Sequence, residues 1–367
     1  AQNGVEVHLW HPFRRQSSKL RNQNIFDYYK VSGFKEKTLA NFDVIIFDKL
    51  FSKIGINVFI GLIQSLIWGF YAVLKSKKEK VNIYYTRDLL ITFWLLFFNL
   101  PTIYEAHSIH NKKWDILLRI LKKQSSLKLV ITLTAFIQKH YLDLGFDENK
   151  VVVLSDAVDL KPFINLPTKL ECRKRLNLSN SAIVGYIGRF RVFGDQEKGI
   201  PNLVRAIAHL YPLFNNLILL LVGGPKEAVP YYLKIAEENK LPLNVIKFIN
   251  QVPVNEVPFW MKACDVVTIP WPWTDFSAYY TSPLKLFEYM ASKTPIVASD
   301  LPSLREILTE NNSILVKPGN TKELAVGIKK VLDGADFANK LSEQAYRDVQ
   351  NYTWNNRAKK ILSLLCT

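Results

Sequence analysis

Two spacings of apolar residues alternate along this chain. Short, nearly continuous apolar runs occur at Val5–Trp10 (VEVHLW), Asp43–Asp48 (DVIIFD), Val81–Thr86 (VNIYYT), Pro101–His107 (PTIYEAH), Lys128–Thr134 (KLVITLT) and Lys150–Asp156 (KVVVLSD). Unbroken runs of this length predict strands of a parallel sheet covered on both faces. Helical spacing between most of them predicts βαβ units. The alternation resumes at Ala182–Arg189, Asn216–Gly224, Val245–Asn250, Asp265–Pro270, Pro295–Ser299 and Ser313–Pro318. Helices are expected over 199–213, 227–239, 255–263, 283–292, 302–309 and 320–332. The tail from Asp336 to Leu365 reads as helical and amphipathic.

Between the two series the texture changes. The segment from Asp159 to Ser181 has two prolines, polar turns and no strand pattern. It reads as a linker with a short basic helix, hence a domain boundary. The expected class is α/β, with two Rossmann-like, doubly wound parallel-sheet domains facing an interdomain cleft. The first covers 1–165 and the second 166–350, followed by a terminal helix over 351–367 that can cross back to the first domain. Ligands of such sheets bind outside the carboxyl ends of the strands.

Two segments qualify this picture. Ile54–Leu74 is a long run without a formal charge, and length alone permits a membrane span. Asn57, Gln64 and Ser65 interrupt it. A sheet-covering helix is the plainer reading, and a helix lying on a membrane surface beside Lys75, Lys77, Lys78 and Lys80 is a third. The opening AQNGVEVHLW reads as the last turn of a helix, a Gly4 cap and a strand. A domain seldom begins on the end of a helix, so an earlier strand and most of a helix are expected upstream.

The composition is that of a folded protein: 367 residues, 49% hydrophobic, mean hydropathy near zero. A net charge of +16, from 48 basic and 32 acidic side chains, favours an anionic partner. Cys172, Cys264 and Cys366 have neither metal-ligand spacing nor a disulfide framework, which points to a reducing cytosol. The first residues carry no signal-peptide pattern. No recognised nucleic-acid-binding module or basic–aromatic platform is present, so nucleic acid is not expected as a partner.

Candidate chemistry gathers in the second half. Gly188, Arg189 and Lys198 come from one strand–loop–helix corner, GYIGRF followed by RVFGDQEKGI. Glycines admit a close ligand, and two cations at a strand terminus suit a diphosphate. Surface cations are also common, so the residues alone leave both readings open. Gly223 and Gly224 end another strand, where a ligand border and a simple turn are equally admissible. In YYTSPLKLFEYMAS, Ser282 is a suitable N-cap, Pro283 suits the first helical position, and Leu284 begins the apolar stripe. Lys285 then falls in the first turn, the wrong end of a helix for a cation. A bound diphosphate reverses that argument, because free N–H groups and a lysine would serve the same anion. Glu288 follows on the same face. It can hold ribose hydroxyls, or form an ordinary intrahelical ion pair with Lys285.

These residues place the chain beside a known family. GRF…KGI, LLLVGGP, ACDVVTIP, SPLKLFEYMASKTPIVASDLPSLREIL, PGN and YTWNNRAKKIL together resemble glycosyltransferase family 4, which has the GT-B fold. YTRD, YEAH, LVITLTAFIQKHY and VVVLSDAVDL are weaker matches upstream. The resemblance implies a retaining transfer from a nucleoside diphosphate sugar, with the acceptor held mainly by the first domain. It implies that Arg189 and Lys198 contact the donor diphosphate, that Glu288 holds the ribose, and that His107 lies near the transferred sugar. It implies no cofactor and no metal. Asp156 and Asp159 read as a hinge loop, and no carboxylate pair of hydrolase type stands out.

Two departures from the family pattern matter. Tyr280 stands where many relatives carry a glutamate that touches the sugar, which leaves the donor open. The Gly-rich turn of the opening strand is not in the sequence. The expectation is a hexosyltransferase-like enzyme of polysaccharide biosynthesis. It would be cytoplasmic, peripheral on the inner membrane face, and act on a glycan or lipid-linked acceptor. The alternative is a non-catalytic nucleotide-sugar-binding or scaffold protein of the same fold.

Overall fold

A computed structural model describes residues 3–12, 32–39, 57–109, 112–192, 196–214 and 216–365. The strand expected at Asp43–Asp48 lies outside the described residues. The chain divides into two compact units. One comprises Ala1–Thr132, Ile137–Val153 and Ala358–Thr367; the other comprises Leu133–Phe136 and Leu154–Arg357.

In the first unit, Tyr84–Thr86, Thr102–Ala106, Leu127–Thr132 and Val151–Val153 form a parallel sheet in that order. Each lies within or beside an apolar run read from the sequence. The central strand Thr102–Ala106 is buried along its whole length, as continuous apolar character requires. Val7–Pro12 pairs in parallel with Phe34–Leu39 as a separate two-stranded sheet. The second of these strands, FKEKTL, escaped the sequence reading. Four of its six residues are exposed, so it lacks the apolar run on which strand recognition depends.

The helix expected at Ile54–Leu74 is found at Asn57–Ser76. It packs on the Leu89–Phe97 helix, whose first turn is capped by Asp88 through Leu90 N–H (2.8 Å) and Ile91 N–H (3.0 Å). Gly69 faces Ile91 and Trp94, and the Trp94 indole N–H donates to Leu66 O at 2.9 Å. Leu62, Ile63, Leu66, Ile67, Phe70, Tyr71 and Leu74 of this helix are all exposed, Phe70 with its ring beside Trp94, 4.8 Å between centres. Among the described residues no helix is long and apolar enough to cross a membrane.

The second unit holds a six-stranded parallel sheet. Its spatial order is Ile246–Ile249, Leu217–Gly224, Ala182–Arg189, Val266–Ile269, Ile296–Ser299, Ile314–Val316. The order reverses direction at Ala182–Arg189, the strand that opens the series, so helices cover both faces. Ile183 and Ile187 pack into one core with Met261, Leu286 and Phe287. Val184 and Tyr186, pointing the other way, pack with Leu203, Ile207 and Ile328. This is the period-two alternation of a strand buried on both sides. The basic helix expected near 159–181 runs from Lys169 to Arg175 and opens with a capping box between Thr168 and Glu171. The helical tail is two helices, Ala335–Val349 and Trp354–Ser363.

Candidate donor-binding corner

The strands Ala182–Arg189 and Leu217–Gly224 run side by side and end together, with Gly188 opposite Gly223. Both glycines hold positive φ, 139° and 135°, a region that side-chain-bearing residues rarely adopt. A Cβ on Gly223 would stand 2.1 Å from the Gly188 carbonyl oxygen, inside van der Waals contact. A Cβ on Gly188 would stand 2.5 Å from Nζ of Lys285. The glycine therefore leaves the space that the lysine's ammonium occupies.

Lys285 is in the first turn of the Leu284–Ala291 helix. The start of that helix differs from expectation. Pro283, with φ −78°, is the N-cap residue rather than the first helical one, and no side chain caps the helix. The Ser282 hydroxyl instead accepts the Asp156 N–H at 2.9 Å. A π-helical turn, Phe276–Tyr280, runs in just before it and sets the direction of entry. The first amides of the helix are thus left without side-chain acceptors, while Leu284 is exposed.

The helix is fixed by Tyr289. Its hydroxyl accepts the Ile187 N–H at 2.9 Å and lies 3.2 Å from the Ile187 carbonyl, to which it can donate. The ladder between Ala182–Arg189 and Val266–Ile269 reaches only Gly185, so the tyrosine satisfies the Ile187 backbone that the neighbouring strand has left.

Lys285 extends along the end of the first strand. Its Nζ donates to the Tyr186 hydroxyl at 2.7 Å and stands 3.9 Å from the centre of that ring. The Tyr186 hydroxyl in turn donates to Arg189 O at 2.8 Å. Burial pulls the Lys285 pKa down to about 7; the Lys198 charge pulls the same way, and Glu288 opposes both. Burial pushes the Glu288 carboxyl up, and the Lys285 charge works against that shift.

Lys198 is almost fully buried, 8% exposed, with Nζ 4.1 Å from the Trp271 ring centre and 5.4 Å from that of Phe276. Burial lowers its pKa as well. Gly199, which follows, is the left-handed N-cap of the Ile200–Leu210 helix. A Cβ there would fall 1.8 Å from Pro270 O. The KG pair therefore has a steric basis: the glycine lets the loop close on Pro270, and the lysine enters beside Trp271. Arg189 is exposed at the strand end and has no ion pair among the described residues.

Of the residues singled out in the sequence, Gly188, Gly223, Lys198, Lys285 and Glu288 meet at one corner, with Arg189 at its edge. Tyr186, Trp271, Phe276 and Tyr289 were not anticipated. They are aromatic residues in apolar surroundings, where sequence pattern reads only core. His107 belongs to the first unit. It follows the Thr102–Ala106 strand, and its Nε2 lies 2.5 Å from Oε1 of the buried Glu105. The Tyr85 hydroxyl donates to the other oxygen of the same carboxylate. Glu105 thus fixes the imidazole's orientation. Among the described residues no group of three or more His, Cys, Asp or Glu side chains is placed to hold a metal ion.

The parallel sheet, reversing its order at Ala182–Arg189 and with glycines and cations at its carboxyl edge, is Rossmann-like. Residues 169–348 match the family model described as glycosyl transferases group 1. A glycosyltransferase of Methanocaldococcus jannaschii is 28% identical over 223 residues, 59% of this chain and 54% of that one. The chain spans about half the length of the curated relatives it matches. The crystal structure of a glycosyltransferase from Rickettsia africae superposes with a TM-score of 0.70 at 20% identity, covering 98% of each chain. Anabaena HepE, solved in complex with UDP-glucose, superposes with a TM-score of 0.68 at 19% identity, covering 90% of this chain and 86% of that one. The fold is GT-B, with two Rossmann-like domains.

Proposed function

We propose that this protein is a retaining glycosyltransferase that uses a nucleoside diphosphate sugar. The observation that carries the reading is the pair of desolvated lysines, Lys198 and Lys285, at the carboxyl edge of the sheet beside Gly188. Two desolvated cations that disfavour each other's charge are costly without a counter-charge. A diphosphate supplies one and also meets the uncapped amides of the Leu284–Ala291 helix. In the transfer, the C1–O bond to the diphosphate breaks and the acceptor oxygen bonds to C1. The acceptor's proton leaves with the departing group. Negative charge grows on the diphosphate as that bond breaks, and fixed cations in a dry site lower the barrier most there. In this reading Arg189 adds a third cation, Glu288 binds ribose hydroxyls, and His107, oriented by Glu105, acts near the sugar. HepE's complex with UDP-glucose supports a UDP-linked donor.

The acceptor is proposed to be a glycan or lipid-linked intermediate presented at an anionic membrane surface, with the protein peripheral on its cytoplasmic side. The exposed apolar face of the Asn57–Ser76 helix and the exposed Lys75, Lys77, Lys78 and Lys80 at its end support this.

The deciding experiment incubates the protein with UDP-glucose and other nucleotide sugars and follows release of free nucleoside diphosphate. Turnover that falls at least tenfold in Lys198→Met and His107→Ala is expected. Tyr280, partly buried in the π-helical turn, takes the position of the sugar-touching glutamate of related enzymes and favours a second reading, a nucleotide-sugar-binding protein without catalysis. Saturable donor binding with no turnover, unchanged by His107→Ala, would establish that second reading.

A further inference from the structure

The second unit contains a cavity of about 430 Å³ at the opposite end of its sheet from the donor corner. Its rim includes Ala182, Asp265 and Pro295, which stand where the strands Ala182–Arg189, Val266–Ile269 and Ile296–Ser299 begin. Ligands of the Rossmann type bind at the other ends of these strands, so this cavity is separate from the proposed donor site.

Its charges are unevenly matched. Lys169, Arg173, Lys262 and Lys293 line it, with Asp265 as the lining carboxylate. Asp265 is already fully engaged. It accepts from Lys169 Nζ at 2.7 Å, from Arg173 Nη2 at 2.6 Å and from the Ile183 N–H at 2.8 Å. Burial would raise its carboxyl, yet these donors hold it below the usual range. Arg173, 5% exposed, also donates from Nε to Ala263 O and from Nη1 to Asn180 Oδ1. Lys293 reaches out to Glu343, 3.1 Å from each carboxylate oxygen. Lys262 has no carboxylate in ion-pair reach among the described residues. It is half-buried at the end of the Val257–Lys262 helix. Burial first, and then the charges of Lys169 and Lys293, disfavour its ammonium form, while the Glu343 charge works the other way.

A second observation concerns Lys293. Its φ of +54° places it in the left-handed region just after the Leu284–Ala291 helix. Glycine is the usual residue there, since a side chain is disfavoured in that region. The backbone of Lys293 therefore stands on the cavity rim in a left-handed conformation, as that of Lys240 does after the Val229–Glu238 helix. The facing wall is apolar and includes Phe214, Val331, Leu332 and Ala338.

We infer that this cavity is a second anion site that takes a phosphate monoester, the phosphate on Lys262 flanked by Lys169 and Lys293 and the small organic body against the apolar wall. A volume near 430 Å³ lies within the range of small-molecule sites, roughly 300–1,000 Å³. The anion would sit on the one lysine of the cluster that has no carboxylate in ion-pair reach among the described residues. The inference is independent of the donor chemistry proposed above.

The test is calorimetric titration of the whole chain with inorganic phosphate and, separately, with glycerol 3-phosphate, at ionic strength held constant with chloride. Saturable one-to-one binding is expected. It should weaken at least tenfold in Lys262→Gln, recover in Lys262→Arg and stay within twofold in Lys285→Met. Tighter binding of glycerol 3-phosphate supports an organic monoester; equal binding supports free phosphate in the same site. Circular dichroism confirms that Lys262→Gln is folded, and its melting temperature should not fall, since a desolvated cation is removed. Binding no stronger than that of chloride, or binding lost in Lys285→Met and retained in Lys262→Gln, overturns the inference.

Discussion

At the scale of the residue, Lys285 carries the sharpest consequences. Its folded pKa, about 7, lies below the value of 10.5 for a free lysine side chain. The unfolded chain therefore binds more protons between these values, and the linkage relation makes this group's contribution to stability rise with pH from about 7 to about 10.5. Replacing it with methionine should remove that slope and leave the melting temperature at pH 6 unchanged or higher. UDP binding should respond in the opposite sense. A diphosphate favours the ammonium form, so binding at pH 8 takes up protons and affinity falls as pH rises above 7. Titrations in two buffers of different ionisation enthalpy measure that uptake. Lys285→Met should weaken UDP binding by about 1.5–3 kcal/mol, the worth of hydrogen bonds to a charged group.

The glycines separate space for a ligand-facing cation from space for the backbone. Gly188→Ala puts its Cβ against the movable end of Lys285, whereas Gly199→Ala puts it against the Pro270 carbonyl. Both suffer the positive-φ penalty, about 1–2 kcal/mol. Thermal melts should show Gly199→Ala the more destabilised, and UDP titrations should show Gly188→Ala losing affinity beyond its loss of stability. The sequence reading marked Gly188 but not Gly199, and not what either one makes room for.

Among the elements, the Leu284–Ala291 helix acts through its attachment. Leu286, Phe287, Tyr289 and Met290 bury its inner face, and the Tyr289 hydroxyl binds Ile187, the residue before Gly188. Tyr289→Phe leaves a buried N–H and C=O without that partner, a cost of about 1–3 kcal/mol. Because the helix start is then less firmly held against the strand end, UDP affinity should fall while the Lys285 side chain is intact. Chemical denaturation and UDP titration read the two effects separately. The Asn57–Ser76 helix is the element most tied to the surroundings of the protein. Flotation with anionic vesicles should retain the wild type and release a variant with Leu66→Glu and Ile67→Glu. Equal flotation of both would remove this face from the membrane reading.

For the molecule as a whole, the donor corner is contained within one compact unit. Gly188, Lys198, Trp271, Lys285 and Tyr289 all belong to residues 154–357. A ligand that binds only the folded state at 100 times its dissociation constant stabilises by about 2.7 kcal/mol. Saturating UDP should therefore raise the melting temperature. Hydrogen exchange should slow at 186–192, 196–199, 270–276 and 284–289, and leave the 84–132 sheet of the other unit unchanged. Protection spread evenly over both units would mean that UDP is bound elsewhere.

Sequence alone determined the alternation of strands and helices, and with it the two parallel sheets. That pattern follows from burial on both faces, which demands continuous apolar runs whatever their partners. It also marked Gly188 and the cations of GR…KG and SPLK, because a glycine that admits a close ligand and a cation at the wrong end of a helix are legible one residue at a time. Tertiary structure decided the rest. Only packing brings Lys285 under Gly188, surrounds Lys198 with Trp271 and Phe276, and gives Tyr289 the backbone of Ile187. These are contacts between segments about 70–100 residues apart, and a linear pattern carries no distance between them. The strand Phe34–Leu39 and the basic cavity around Lys262 stayed hidden for the same reason. Charged residues read as solvated surface until the fold shows which of them face one another.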